Sequence, residues 1–425
     1  MKTTVVAITL FAAWAQAVAA IDPRWTPILA LPNVTEILAR GSDGALSLAV
    51  DHSNGLTAEF FNMDNLSLDG VQLPEGLVRL KLGNFKLKSI PTGFKFPSTI
   101  DTLELNGNAL QAIPANVQWP TNLATLDLSQ NKIQALDKRL AFPAKLTSLD
   151  LSANQLTAFP TTKWPASLQS LSLSSNALGN VPANQVWPAS LSNLQLAETK
   201  ITSFPTALPK ALKQINLAKN ALKAFPARNQ LPDTIEDLVL SGTSLTSLPS
   251  AIQWPRLNSL WLSDNAIAAL PHDFALPATL SNLNLANNQI GHLPPSTAWL
   301  KSLSSLDLSQ NKLSTIPEGT ALPAANVNLN DNNIAVLKNI GLPRMLSLTG
   351  NPLSVISHVT FPPRVFWSTD RVQLKEFTLS PAMFDLYKQA TTNSFFYPQY
   401  TLDATSIQTA CAREYGAVKN GICVV

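Results

Sequence analysis

Residues 123–136 read LATLDLSQNKIQAL, residues 146–159 read LTSLDLSANQLTAF, and residues 303–316 read LSSLDLSQNKLSTI. A phrase repeated in register along most of a chain restricts the fold more than any composition does. The common pattern is L-x-x-L-x-L-x-x-N-x-L. Leu126 and Leu128 are two apart, so on a strand both face one way and the residues between them face the other. A single copy has nothing to bury that row against. Stacked copies bury one another, which makes a solenoid whose coils touch only their neighbours.

The Asn slot of the pattern falls at Asn108, Asn131, Asn154, Asn176, Asn220, Asn265, Asn288, Asn311, Asn332 and Asn351, with Thr199 and Thr243 standing in and Phe85 in an earlier copy. Spacings are mostly 21 to 23 residues, closing to 19 at the last step. A more degenerate copy has Leu56, Phe61 and Leu66 in phase. A short amide carries donor and acceptor together. It suits a corner where a strand ends and leaves backbone groups unpaired. Thr offers a smaller hydroxyl substitute. Phe85 offers none, so its corner is expected to be less well satisfied.

The other half of each copy is punctuated by proline. Twelve apolar-Pro pairs precede the strands, from Leu73-Pro74 to Leu342-Pro343, with Trp299-Leu300 at the missing place. A second Pro falls six residues after the slot in ten copies, from Pro91 to Pro317, and Asp137 is the exception in that span. Two prolines in about a dozen residues oppose a regular helix. Extended or polyproline-like segments with short turns are expected instead. Trp, Phe and Leu are interchangeable before the Pro, which reads as a core row rather than a sugar-stacking ladder.

The motif is the leucine-rich-repeat signature, and the chain resembles that family over residues 56–356, in about 13 to 14 copies. The resemblance implies an α/β-type solenoid that is mostly β. It is a leucine-rich-repeat horseshoe with a concave parallel sheet and, here, extended convex segments. The chain is similar to the ectodomains of leucine-rich-repeat receptor-like kinases and to free secreted versions of them, without the membrane span or kinase. The resemblance implies a secreted, non-enzymatic recognition module that binds an extracellular protein, peptide or glycan on its concave face. Two other readings stay open. One is a secreted inhibitor of a wall-degrading enzyme, resembling the polygalacturonase-inhibiting class. The other is a structural cell-surface protein without a discrete ligand site.

The ends fit an extracellular route. Lys2, the run VVAITLFAAWA and the small residues at 17–20 read as a secretory signal over residues 1–20. Asn33-Val34-Thr35 and Asn65-Leu66-Ser67 are glycosylation triplets. Cys411 and Cys423 are the two cysteines, and in a secreted chain they are expected to pair. An open solenoid exposes apolar rows at both ends, so residues 21–55 and 357–425 are expected to be caps. Leu374, Phe377, Leu379 and Phe384 keep the repeat spacing loosely and predict a degenerate last strand. Phe395, Phe396 and Tyr397 are candidates to plug that end. No later apolar run is long enough to span a bilayer.

Outward strand positions lie six, four and two residues before the slot. Most are Ser, Thr, Asn or Gln, which suits a chain with only 13% charged residues. Two departures are informative. Glu104, Asp127 and Asp150 take the same position in three successive repeats, a column that favours a cation, a basic side chain or a hydrogen-bond donor. Val239 and Trp261 share that position in adjacent repeats, with Asp237 beside them. An exposed Trp next to Val on a hydrophilic sheet is a candidate binding hot spot. These six residues form the candidate ligand-binding set.

No residue pattern points to catalysis, and no cofactor or metal is expected. His52, His272, His292 and His358 have no second His or Cys at ligand spacing. The sequence contains no G-x-S-x-G, H-E-x-x-H, C-x-x-C or phosphate-loop motif. A net charge of +3 without any Lys/Arg run argues against nucleic acid as a partner.

Overall fold

The computed structural model describes residues 67–425 except 324, 364, 393–396 and 415, together with the backbone of three earlier strands, β1 (Val34–Ala39), β2 (Ser47–Val50) and β3 (Leu56–Phe60). The expected signal at 1–20, Asn33, Asn65, His52, Phe395 and Phe396 lie outside the described residues. The chain forms two compact units, Met1–Leu146 and Thr147–Val425.

In the first unit, β4 (Arg79–Lys81), β5 (Thr102–Glu104) and β6 (Thr125–Asp127) pair in parallel, Arg79 beside Thr102 and Thr102 beside Thr125. β1 pairs in parallel with β4, β3 in parallel with β1, and β2 antiparallel with β3. Strand order therefore departs from chain order here. The strand stacked on β4 is β1, and the repeat-like stretch from Leu56 lies beyond it.

In the second unit, nine three-residue strands follow one another in a parallel ladder. They are β7 (Ser148–Asp150), β8 (Ser170–Ser172), β9 (Asn193–Gln195), β10 (Gln214–Asn216), β11 (Asp237–Val239), β12 (Ser259–Trp261), β13 (Asn282–Asn284), β14 (Ser305–Asp307) and β15 (Asn326–Asn328). After β16 (Val336–Lys338) the ladder resumes with β17 (Met345–Ser347). Then come β18 (Val355–Ser357), β19 (Phe366–Leu374), β20 (Glu376–Leu379), helix α1 (Pro381–Thr392), β21 (Tyr397–Leu402), helix α2 (Ala404–Arg413), β22 (Ala417–Lys419) and β23 (Ile422–Val424). The ladder runs on through β17, β19 and β21. A second sheet is built in the order β16, β18, β20, β23, β22.

Alternation explains the strands. Along the ladder from β4 to β17 the middle residue of each strand is apolar and buried, as at Leu103, Leu194, Ile215 and Leu260, while its neighbours face outward. A tight corner follows each strand. The residue before the slot is left-handed: Gln130 has φ 54°, Ala153 51°, Ser175 55°, Lys219 55° and Asp264 58°. Gly107, Gly242 and Gly350 hold the same place with φ of 66°, 65° and 76°.

The slot Asn then closes the corner across two coils. Asn108 Nδ2 donates to the carbonyls of Leu105 (2.9 Å) and, one coil back, Leu82 (2.7 Å). Its Oδ1 accepts from the N–H groups of Phe85 (2.9 Å) and Leu87 (3.0 Å), also one coil back. The Phe85 corner is served by this backward reach, and its buried ring makes none of the local bonds that Asn108 Nδ2 gives to Leu105 O and Asn106 O, so it is the less fully bonded corner, as expected. Thr199 and Thr243 donate locally, to Leu196 O (2.7 Å) and Leu240 O (2.6 Å), and each hydroxyl also reaches the Oδ1 of the next slot Asn, Asn220 and Asn265 (3.2 Å each).

The segments between strands are extended with short turns. Many of the prolines open a turn whose carbonyl accepts from the N–H three residues on, as in Phe94 to Pro91 (3.0 Å) and Ile100 to Pro97 (3.2 Å). Ala227, with φ −68° and ψ 154°, is polyproline-like. Trp299-Leu300 lies in a single 3-10 turn, Ala298–Leu300, and Leu300 O accepts from Leu303 N–H (3.2 Å) without a Pro. The aromatic row is packing. Trp164, Trp254 and Trp299 are buried. In the first unit Phe96, Trp119 and Phe142 stack at 6.1 and 6.4 Å.

The parallel ladder outlasts the Asn motif. Trp367 on β19 takes the buried place that Leu346 has on β17. Leu374, Phe377, Leu379 and Phe384 are all buried, on β19, β20 and α1. Phe377 is the centre of an aromatic cluster with Tyr387 at 5.6 Å, Tyr400 at 5.8 Å and Trp367 at 6.3 Å.

Candidate functional site

The outward face of the ladder is where the chain has side chains to spare. On β12, Leu260 is fully buried and holds the strand down, and Trp261 next to it is 42% exposed. Trp261 lies in register with Val239 on β11 and Asn284 on β13. Asp237 is two residues before Val239 on the same strand, so the three sequence-nominated residues of this group share one patch.

A chain of amides borders that patch. Gln195 Nε2 donates to Asn193 Oδ1 (2.7 Å), Asn193 Nδ2 to Gln214 Oε1 (3.0 Å), and Gln214 Nε2 to Asp237 Oδ2 (2.7 Å). The row orients its own members and presents fixed dipoles beside the indole. At the turn edge, Lys219 Nζ (2.6 Å) and Ser175 Oγ (2.9 Å) donate to Glu198. The Lys219 bond and then the Ser175 bond hold the Glu198 carboxyl below its ordinary range.

The acidic column is engaged internally. Glu104 Oε1 is 2.7 Å from Lys81 Nζ. Glu104 and Asp127 are register neighbours in the first unit, and Asp150 belongs to the second. Asp127 Oδ1 accepts from Ser129 N–H (2.8 Å), and Asp150 Oδ1 from Ser152 N–H (2.8 Å). Asn216, Asn284, Asp307 and Asn328 make the same bond to the N–H two residues on. The position thus prefers a side-chain oxygen that closes an Asx turn. Asp there is a structural choice before it is a charge.

Cys411 on α2 and Cys423 on β23 have Cα atoms 5.2 Å apart and sulfurs 2.15 Å apart. His272 and His292 are exposed, and His358 is half-buried beside Ser357 and Glu414. Among the described residues no group of His, Cys, Asp or Glu is placed to hold a metal, and no helix is long and apolar enough to cross a membrane.

Two strand-face residues were missed from the sequence. Met345 is 51% exposed and Phe366 38% exposed, and they are register neighbours on β17 and β19. With Ala325, Asn326 and Arg344 they line a recess of about 310 Å³. The signal for Met345 was present, since it lies six residues before Asn351. Phe366 has no slot Asn to index it.

Family models described as Leucine rich repeat match residues 98–156, 121–178 and 302–321. No curated protein matches the chain. Among solved structures, YopM from Yersinia enterocolitica WA-314 is similar at 25% identity and a TM-score of 0.55, covering 80% of this chain and 69% of that one. YopM from Yersinia pestis is similar at 23% identity and a TM-score of 0.55, covering 74% of this chain and 84% of that one. The matches indicate no catalytic family. The chain carries leucine-rich repeats and has the leucine-rich-repeat solenoid fold.

Proposed function

We propose that this chain is a secreted recognition module that binds a partner protein, peptide or glycan on its strand face, centred on Trp261 and Val239. The observation that carries the reading is the exposed indole on β12, beside Val239, in a face lined mostly by amides and hydroxyls. Indoles are costly to leave in water and are enriched at the centres of interfaces. Asp237 and the amide row leading to it would supply directional contacts around that centre.

The extracellular placement rests on the signal-like residues 1–20, the triplets at Asn33 and Asn65, and a disulfide between Cys411 and Cys423. Residues 21–55 and 357–425 act as caps of the repeat region in this reading. The module then works as a counterpart of receptor-like ectodomains. Inhibition through Glu104, Asp127 and Asp150 has less support, because each already serves a neighbour.

The test is affinity capture from the native extracellular fluid with the mature protein and its Trp261→Ala form side by side. A partner retained by the first and lost by the second is the expected result. Identical partners with both forms would remove Trp261 from the site.

A further inference from the structure

We propose that the strand face of the second unit carries two apolar anchors for a single extended, basic segment of a partner protein. The first anchor is Trp261 with Val239, and the second is Met345 with Phe366. This rests on the reading of the Trp261 face as a binding surface and adds to it a second contact point, a spacing and a charge.

The spacing follows from the ladder. β12, β13, β14, β15 and β17 are consecutive neighbours. Four steps of about 4.8 Å, with a small offset along the strands, set the anchors about 20 Å apart. An extended chain advances about 3.3 Å per residue, so two side chains about six positions apart reach both. The second anchor is a real depression. The recess of about 310 Å³ between Met345, Phe366 and Asn326 is of a size to take one apolar side chain.

Charge selects the occupant. The outward and turn positions of the coils at 237–242, 259–264, 282–287, 305–310, 326–331 and 345–350 carry Asp237, Asp264, Asp307 and Asp331 and neither Lys nor Arg, while the stretch that begins at Phe366 adds Asp370 and Arg371. Arg344, on the margin of the recess, stands one residue before β17, while Asp264 and Asp331 lie past the other end of their strands. The floor between the anchors is Asn282, Asn284, Ser305, Asp307, Asn326 and Asn328. A segment with Arg or Lys between its two apolar residues would meet acceptors there, and an acidic one would meet like charge.

The experiment uses the full chain and fluorescent synthetic peptides. Each peptide has two leucines, set about three to nine positions apart, with either Arg/Ser or Glu/Ser filling the interval. Anisotropy gives the affinities for the native protein and for Met345→Ser, Phe366→Ser and Trp261→Ala, all exposed positions whose folding is checked by melting. The expected result is an optimum near six positions in the Arg series only, weakened roughly tenfold by Met345→Ser and by Trp261→Ala. If Trp261→Ala weakens binding and the other two variants do not, the second anchor is refuted and the Trp261 reading stands. If no peptide binds, or affinity ignores spacing and charge, the two-anchor inference fails, and the capture experiment alone decides the Trp261 reading.

Discussion

Asn220 shows what one slot residue does. Its Nδ2 donates to Leu196 O (2.8 Å), Leu217 O (2.9 Å) and Ala218 O (3.2 Å), and its Oδ1 accepts from Thr199 N–H (3.1 Å) and Ile201 N–H (2.9 Å). Asn220→Ala strands those groups in a buried corner and is expected to cost about 3 kcal/mol, read from urea unfolding. The corner before the slot predicts the opposite sign. Ala153 has φ 51°, where a Cβ is penalised, so Ala153→Gly is expected to raise stability by about 1 kcal/mol in the same assay. Asp137 replaces the usual Pro by a different route. Its carboxylate accepts from Arg139 N–H and Nε and pairs with its guanidinium, and these bonds lower its pKa to about 2. A depressed carboxyl contributes stability above its ordinary value of about 4, lost as pH falls through about 2. NMR titration of Asp137 is expected to give a midpoint near 2, moving upward in Arg139→Ala.

At the scale of an element, β12 separates stability from recognition within two adjacent residues. Leu260 points into the core and is fully buried, and Trp261 points out. Leu260→Ala is expected to cost about 3 kcal/mol through lost burial and the cavity left behind. Trp261→Ala is expected to change stability by about 0.5 kcal/mol or less while abolishing partner capture. Denaturant melts of the two variants check the contrast. A large destabilisation by Trp261→Ala would mean that the indole packs against its neighbours rather than waiting for a ligand. The alternation that makes this division was legible in the sequence because burial on a strand has period two. The Asx-turn use of Asp127 and Asp150 was not, since the spacing shows where a carboxylate points and not which N–H it meets.

For the molecule, solenoid stability is the sum of coils and their contacts with neighbours, so an end matters only to what lies near it. Cys411 ties α2 to β23 at the end of the second unit. Closing a loop of about a dozen residues is worth about 3 kcal/mol in the chain-entropy picture. Cys411→Ser is therefore expected to lower hydrogen-exchange protection in β19–β23 and leave β8–β12 unchanged. Equal loss of protection in both regions would refute local capping.

The sequence by itself determined the coil, the parallel ladder, the inward Leu rows, the exclusion of helices by paired prolines, and the shared position of Val239 and Trp261. All of these are written as periods, and a period encodes local geometry and which face is buried. Tertiary structure alone decided how slot residues such as Asn108 reach back one coil, what bonds serve the Phe85 corner, which carboxylates are already bonded, and that β16, β18, β20, β23 and β22 form a second sheet. It also brought Phe366 beside Met345 after the slot motif had lapsed. Those outcomes depend on register between coils, and register is set by packing that no single repeat contains.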